Sequence, residues 1–131
     1  MVLTREQLES GVANMVKVME VPLPELVGSA WIRILPATVR DAYDQSRFTE
    51  DGKPIADNIS GRLVCLCLCD EDGEPLYPDV VEGAAIIAKW PTPVVERLFI
   101  AARTFNLMGT NDLEQAAKNY EPDPDSSSSI D

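Results

Sequence analysis

The sequence predicts a mainly α-helical fold: a small domain of about five short helices with a short N-terminal β-hairpin, followed by an acidic disordered C-terminal tail. Three observations lead there. Several segments place apolar residues at helical spacing behind a capping residue, two β-compatible stretches lie between residues 16 and 35, and after Tyr120 the composition turns abruptly to EPDPDSSSSID. At 131 residues, with 45% hydrophobic and 25% charged side chains, the chain has the size and composition of one domain around one core. Residues 1–119 are assigned to that domain and 120–131 to the tail.

The elements follow in order. Thr4 and Gln7 form a T-x-x-Q capping box, and Leu8, Val12, Met15 and Val16 follow at helical spacing, so a short amphipathic helix is expected over about residues 5–16. Gly11 weakens it by about 1 kcal/mol relative to alanine, so neighbours must hold it. The stretches VKVMEVPLPEL and SAWIRIL, separated by prolines and Gly28, read as the hairpin, with the first strand at an edge because Pro22 and Pro24 cannot donate to a central ladder. Pro36 suits the first turn of a helix carrying Val39, Ala42, Tyr43 and Phe48, which should end before TEDGKP. Residues 57–72 admit two readings: a buried helix from an Asp57 cap to Gly73, or a buried strand entering a DG turn. Length favours the helix, and the Val-Cys-Leu run favours the strand. Asp79 can cap a helix over VVEGAAIIAKW that Pro91 stops. Thr92 then caps the next, with Pro93 at its first position and an apolar stripe of Val94, Leu98, Ala101, Ala102, Phe105 and Met108 ending at Gly109. Asn111 with Glu114 opens a last short helix, DLEQAAKN. The tail carries four acidic residues, two prolines and four serines with no basic residue, too polar to recover its ordering entropy by burial.

Composition narrows the function. The 11 basic and 22 acidic residues give a formal charge of −11, which repels nucleic acid and anionic membranes. There is no histidine, so the commonest general base, metal ligand and neutral-pH proton switch are all missing. No signal peptide or membrane-length apolar run occurs, and the expectation is a soluble protein made in the cytoplasm. Cys65, Cys67 and Cys69 alternate and match neither a disulfide framework nor CxxC spacing. In a strand all three would face one way as a soft-metal patch, but with no histidine to complete such a site they read as packing residues. Asp70, Glu71 and Asp72 before Gly73 lack the sixth-position glycine and twelfth-position glutamate of a calcium loop and read as turn chemistry. No phosphate loop, nucleophile elbow or zinc-protease motif is present. The reading is a non-enzyme with no cofactor and no metal. The candidate partner-binding residues are Trp90, at a Lys-Trp-Pro helix end, and Val94, Leu98, Phe105 and Met108 on the stripe that follows; Trp31 reads as core.

The run RLVCLCLCDEDGEPLYPDVVEGAAIIAKWPTPVVERLFIAARTFNLMG, followed by NDLEQAAKN, resembles the tail assembly chaperones of long-tailed, lambda-like bacteriophages. The shared pattern is an apolar segment (63–69), a D-x-D-G turn (70–73), the aromatic Tyr77, a short helix (80–88), a helix carrying Asn106 and Leu107 (93–108), and a final E-x-x-x-K-N element (114–119). With the upstream EVPLPELVGSAWIRILPATVRDAYDQ the likeness spans about residues 18–119. Gly61, Gly83 and the alternating cysteines depart from it. The resemblance implies a small helical late protein of the host bacterial cytoplasm, absent from the mature virion. Such a protein binds the tape measure protein, keeps it soluble and recruits tail tube subunits; the family has no catalytic residues. Amphipathic helices supply apolar grooves for such a ligand, and repeated copies along it would self-associate as an open helical array. Two other readings compete: a minor connector protein of the virion, and an acidic nucleic-acid mimic that inhibits a host enzyme.

Overall fold

The computed structural model describes residues 1–55 and 57–108. Among these lie five α-helices and a three-stranded antiparallel sheet, in the order α1 (Arg5–Asn14), β1 (Val18–Leu23), a 3-10 turn (Pro24–Leu26), β2 (Gly28–Arg33), α2 (Ala37–Ser46), α3 (Ile59–Cys67), β3 (Leu68–Cys69), α4 (Val80–Ile87) and α5 (Thr92–Phe105). The protein is mainly α. The helix α5 ends at Phe105 with Asn106 as its cap, short of the expected stop at Gly109, and the expected helix over DLEQAAKN and the acidic tail fall outside the described residues.

The capping box of α1 forms: Thr4 Oγ1 accepts from Gln7 N at 3.2 Å and Gln7 Oε1 accepts from Thr4 N at 2.9 Å. The expectation that neighbours hold this helix fails, because every residue of α1 is exposed. Its local bonds make the helix, and nothing in the described chain covers its apolar stripe.

The strands β1 and β2 pair from Val18↔Arg33 to Leu23↔Gly28, and Ile34 N donates to the Lys17 carbonyl at 2.9 Å. Pro22 sits on the edge strand, where a missing donor costs no ladder bond. The third strand takes up the strand reading of residues 57–72, over two residues only. Both readings of residues 57–72 are realised in turn: α3 runs to Cys67, and the next two residues pair with Ile32 and Trp31 as β3. The helix therefore stops well short of Gly73, because the sheet captures the backbone at Leu68. Asp70 then closes the turn, its Oδ1 accepting from Asp72 N at 2.8 Å and Glu74 N at 3.0 Å, with Gly73 at φ +89°. Asp57 does not cap α3. Asn58 occupies that position in a left-handed conformation and sends its Nδ2 to the Ala84 carbonyl at 3.0 Å, tying α3 to α4.

Two other expected starts shift by one residue. Pro36 and Pro91, rather than a first-turn proline and a Thr92 cap, hold the N-cap positions of α2 and α5. Asp79 does cap α4, accepting from Glu82 N at 3.1 Å. Phe48, expected on the α2 stripe, lies beyond the helix end, exposed, in a bridge to Pro54.

The core forms where α3 packs against α4 and α5, and α5 in turn against the sheet. Leu63, Val64, Cys65, Cys67, Ile32, Ile87, Leu98 and Ala102 are fully or almost fully buried. Gly83 brings α4 onto α3: a Cβ there would stand 2.5 Å from Tyr77 Cβ and 2.6 Å from Cys65 Sγ. Glu25 and Arg97 clamp the hairpin end to α5 through a two-pronged ion pair, with Nη2 to Oε2 at 2.8 Å and Nε to Oε1 at 3.0 Å. At the other end of α5, Asn106 is buried as the helix cap. Its Oδ1 accepts from Leu35 N at 2.7 Å, and its Nδ2 donates to the carbonyls of Ala102 at 2.9 Å and Arg33 at 3.2 Å.

Candidate functional site

A groove of about 500 Å³ opens between α2 on one side and α3 with the 75–80 segment on the other. The α2 wall presents Val39, Ala42 and Tyr43, residues one turn apart on a single face. Leu66, Tyr77 and Val80 form the opposite wall, and only Arg33 and Arg62 bring charge. The lining is thus apolar and cationic in a chain of net charge −11.

Both guanidiniums are held. Arg33 Nε donates to the Leu66 carbonyl at 2.9 Å, and Arg62 Nη1 donates to Ser46 Oγ at 2.8 Å and to the Ser46 carbonyl at 3.2 Å. Arg62 also lies 5.9 Å from the centre of the Tyr43 ring, within cation–π range. Its Nε and Nη2 are buried and find no hydrogen-bond partner among the described residues. An unneutralised cation under an apolar trough favours an occupant that brings oxygen acceptors with its hydrocarbon. Tyr43 donates its hydroxyl to the Ile59 carbonyl at 3.2 Å, and burial pushes its pKa up, so it remains a neutral phenol.

No family model matches the chain, and no curated protein or solved structure matches it.

None of the five sequence-derived candidates lines this groove. Val94 and Leu98 are 4% and 1% exposed and belong to the core, so they present no surface to a partner. The stripe of α5 packs inward because α3 and the sheet cover it. Trp90 is half-buried, edge-to-face with Tyr77 at 6.3 Å between ring centres, and borders a shallower depression of about 350 Å³. Phe105 is half-buried against the core, and Met108 borders a small pocket with Tyr43, Phe99 and Arg103. Trp31 is also half-buried.

The groove residues are separated by up to 47 positions in sequence, from Arg33 to Val80, so no local motif announces them. The usable signal was the α2 face, Val39 with Tyr43, which is apolar yet lies on a helix of otherwise polar composition. The cysteines are buried and unpaired by disulfides, and burial pushes the Cys67 thiol up to about 12 and the other two upward. Protonated thiols are poor nucleophiles and poor metal ligands. Among the described residues no group of three or more Cys, Asp or Glu is arranged to hold a metal ion, and no helix is long and apolar enough to cross a membrane.

Proposed function

We propose that this chain is a non-enzymatic tail assembly chaperone of a long-tailed bacteriophage. In this reading it binds the tape measure protein in the host bacterial cytoplasm, keeps it soluble, recruits tail tube protein, and leaves before the virion is complete. The observation that carries the reading is the open apolar groove with Arg33 and Arg62 in its lining. An amphipathic helix fits such a trough by side chains at i, i+3, i+4 and i+7, and acceptors on its flank answer the buried guanidinium. The strong negative charge elsewhere keeps a complex with an aggregation-prone ligand dissolved. The residue pattern over about 18–119 supports the same assignment.

Co-expression with the tape measure protein of the same virus tests it, scored by how much of that protein stays soluble. Full rescue is expected with the native chain and loss of rescue with Ala42→Glu, which narrows the groove from an exposed α2 position. Binding through the groove should survive 1 M salt, where screening acts over about 3 Å, whereas a nucleic-acid mimic would release its enzyme. Abundant chain in purified virions, or a tape measure protein no more soluble with it than without it, would overturn the reading.

A further inference from the structure

Positive charge in this acidic chain gathers where α2 meets the end of α5. Arg40 stands on α2, Arg47 caps its C-terminus, and Arg103 lies in the last turn of α5. Arg40 Nη1 donates to the Asn106 carbonyl at 3.1 Å, and Arg47 and Arg103 line one small pocket of about 180 Å³ with Phe99 and Met108. Little answers these three cations. Asp44 is the one carboxylate within ion-pair reach of them among the described residues. It lies 3.5 Å from Arg40 and 3.8 Å from Arg47, beyond the roughly 2.7–2.9 Å of a charge-assisted hydrogen bond. The Nε atoms of Arg40 and Arg47 are buried with no hydrogen-bond partner among the described residues, and Arg103 rests over the Phe99 ring at 5.3 Å. Arg97, by contrast, meets Glu25 at 2.8 Å.

We propose that the acidic segment 121–131 of the same molecule lies over this arginine cluster. Two observations select that occupant. The described chain ends at Met108, which itself lines the pocket of Arg47 and Arg103, so the residues that follow set out from the rim of the site. Segment 121–131 also supplies the missing charge, as Glu121, Asp123, Asp125 and Asp131 with no basic residue. Reach is no obstacle, because the 13 residues from Met108 to Glu121 span up to about 45 Å. A tether of that length holds the two charge sets at an effective concentration of the order of millimolar. Exposed ion pairs too weak to join separate molecules therefore close within one. The contact shields the cluster from nucleic acid and other foreign polyanions, and it opens with salt because charge rather than hydrocarbon holds it. It lies outside the apolar groove and does not depend on what fills that groove.

Paramagnetic relaxation in the isotope-labelled full chain decides it, with a nitroxide attached through Ser128→Cys; the three native cysteines are buried and escape the label. At low salt the backbone amides of Arg47 and Arg103 should be broadened well above the average of the described residues. That excess should fall at least about tenfold in 1 M salt, where the screening length is about 3 Å rather than about 10 Å at 0.1 M. It should fall as far at low salt when Glu121→Gln, Asp123→Asn, Asp125→Asn and Asp131→Asn remove the negative charge, changes that leave the described body untouched. A mixture of nitroxide-bearing chain without the isotope and isotope-labelled chain without the nitroxide should show no excess, since the contact lies within one molecule. Broadening spread evenly over the body, an excess that survives salt or the neutral segment, or an excess of equal size in the mixture, which would make a second copy the occupant, would each overturn the proposal.

Discussion

Replacing Asn106 with alanine removes a side chain that fastens three parts of the protein at once: the segment leading into α2, the end of β2 and the last turn of α5. Leu35 N–H loses its 2.7 Å acceptor and the Arg33 carbonyl loses its 3.2 Å donor, while the Ala102 carbonyl keeps the backbone bond from residue 106 at 3.0 Å. Two buried or half-buried polar groups are thus left unpaired. At about 1–3 kcal/mol each, the expected loss is about 3–4 kcal/mol, a large share of the 5–15 kcal/mol by which domains of this size are stable. Equilibrium urea unfolding, with the slope of free energy against denaturant unchanged, measures it. Asn106→Asp refines the test. It keeps the bond from Leu35 but turns an oxygen toward two carbonyls, so its carboxyl pKa is raised in the folded state. Its deficit should be smallest below the unfolded value of about 3.9 and should grow as pH rises through the folded value. A loss under about 1 kcal/mol in the alanine variant would show that the hub carries little of the fold.

Other expectations follow from single contacts. Gly83→Ala should destabilise by about 1–3 kcal/mol in thermal or urea unfolding, because the clash with Tyr77 and Cys65 outweighs the gain in helix propensity of about 1 kcal/mol. Val27 is fully exposed at φ +52°, a left-handed conformation costly for a β-branched side chain, so Val27→Gly should raise the melting temperature, by relief of about 1 kcal/mol. Ellman's reagent should label the native cysteines far more slowly than the denatured ones, since all three are buried and protonated. The same burial sets an alkaline limit. The Cys67 pKa is raised in the fold, so its contribution is fully present below the unfolded value near 9 and is lost as pH rises toward about 12, by up to about 1.4 kcal/mol per pH unit, readable in urea titrations across that range.

Helices with complete local signals were legible in the sequence. The capping box fixed the start of α1, Asp79 fixed α4, and the stripe through Val94, Leu98 and Ala102 marked α5. What those stripes touch was not legible. The face of α5 read as a partner surface is core, and the stripe of α1 read as needing neighbours is bare, because periodicity reports that a face is apolar and not what covers it. Residues 57–72 defeated a single reading because the chain changes from helix to strand within one apolar run, where propensity hardly changes and pairing with β2 decides. Asn106 gave no local sign of its bonds to residues more than 70 positions away. The groove was hidden for the same reason: its walls come from segments that only the tertiary fold brings together.

The direct passage from α3 into β3, with no loop between them, has a mechanical consequence. A bonded helix that runs straight into a paired strand has no slack at that end, so it can neither slide nor tilt without dragging the sheet along. The opposite jaw, α2, is bolted to that helix by side chains alone, Tyr43 to the Ile59 carbonyl and Arg62 to Ser46. Any widening to admit a bulkier guest therefore falls to α2 and has to break those side-chain bonds.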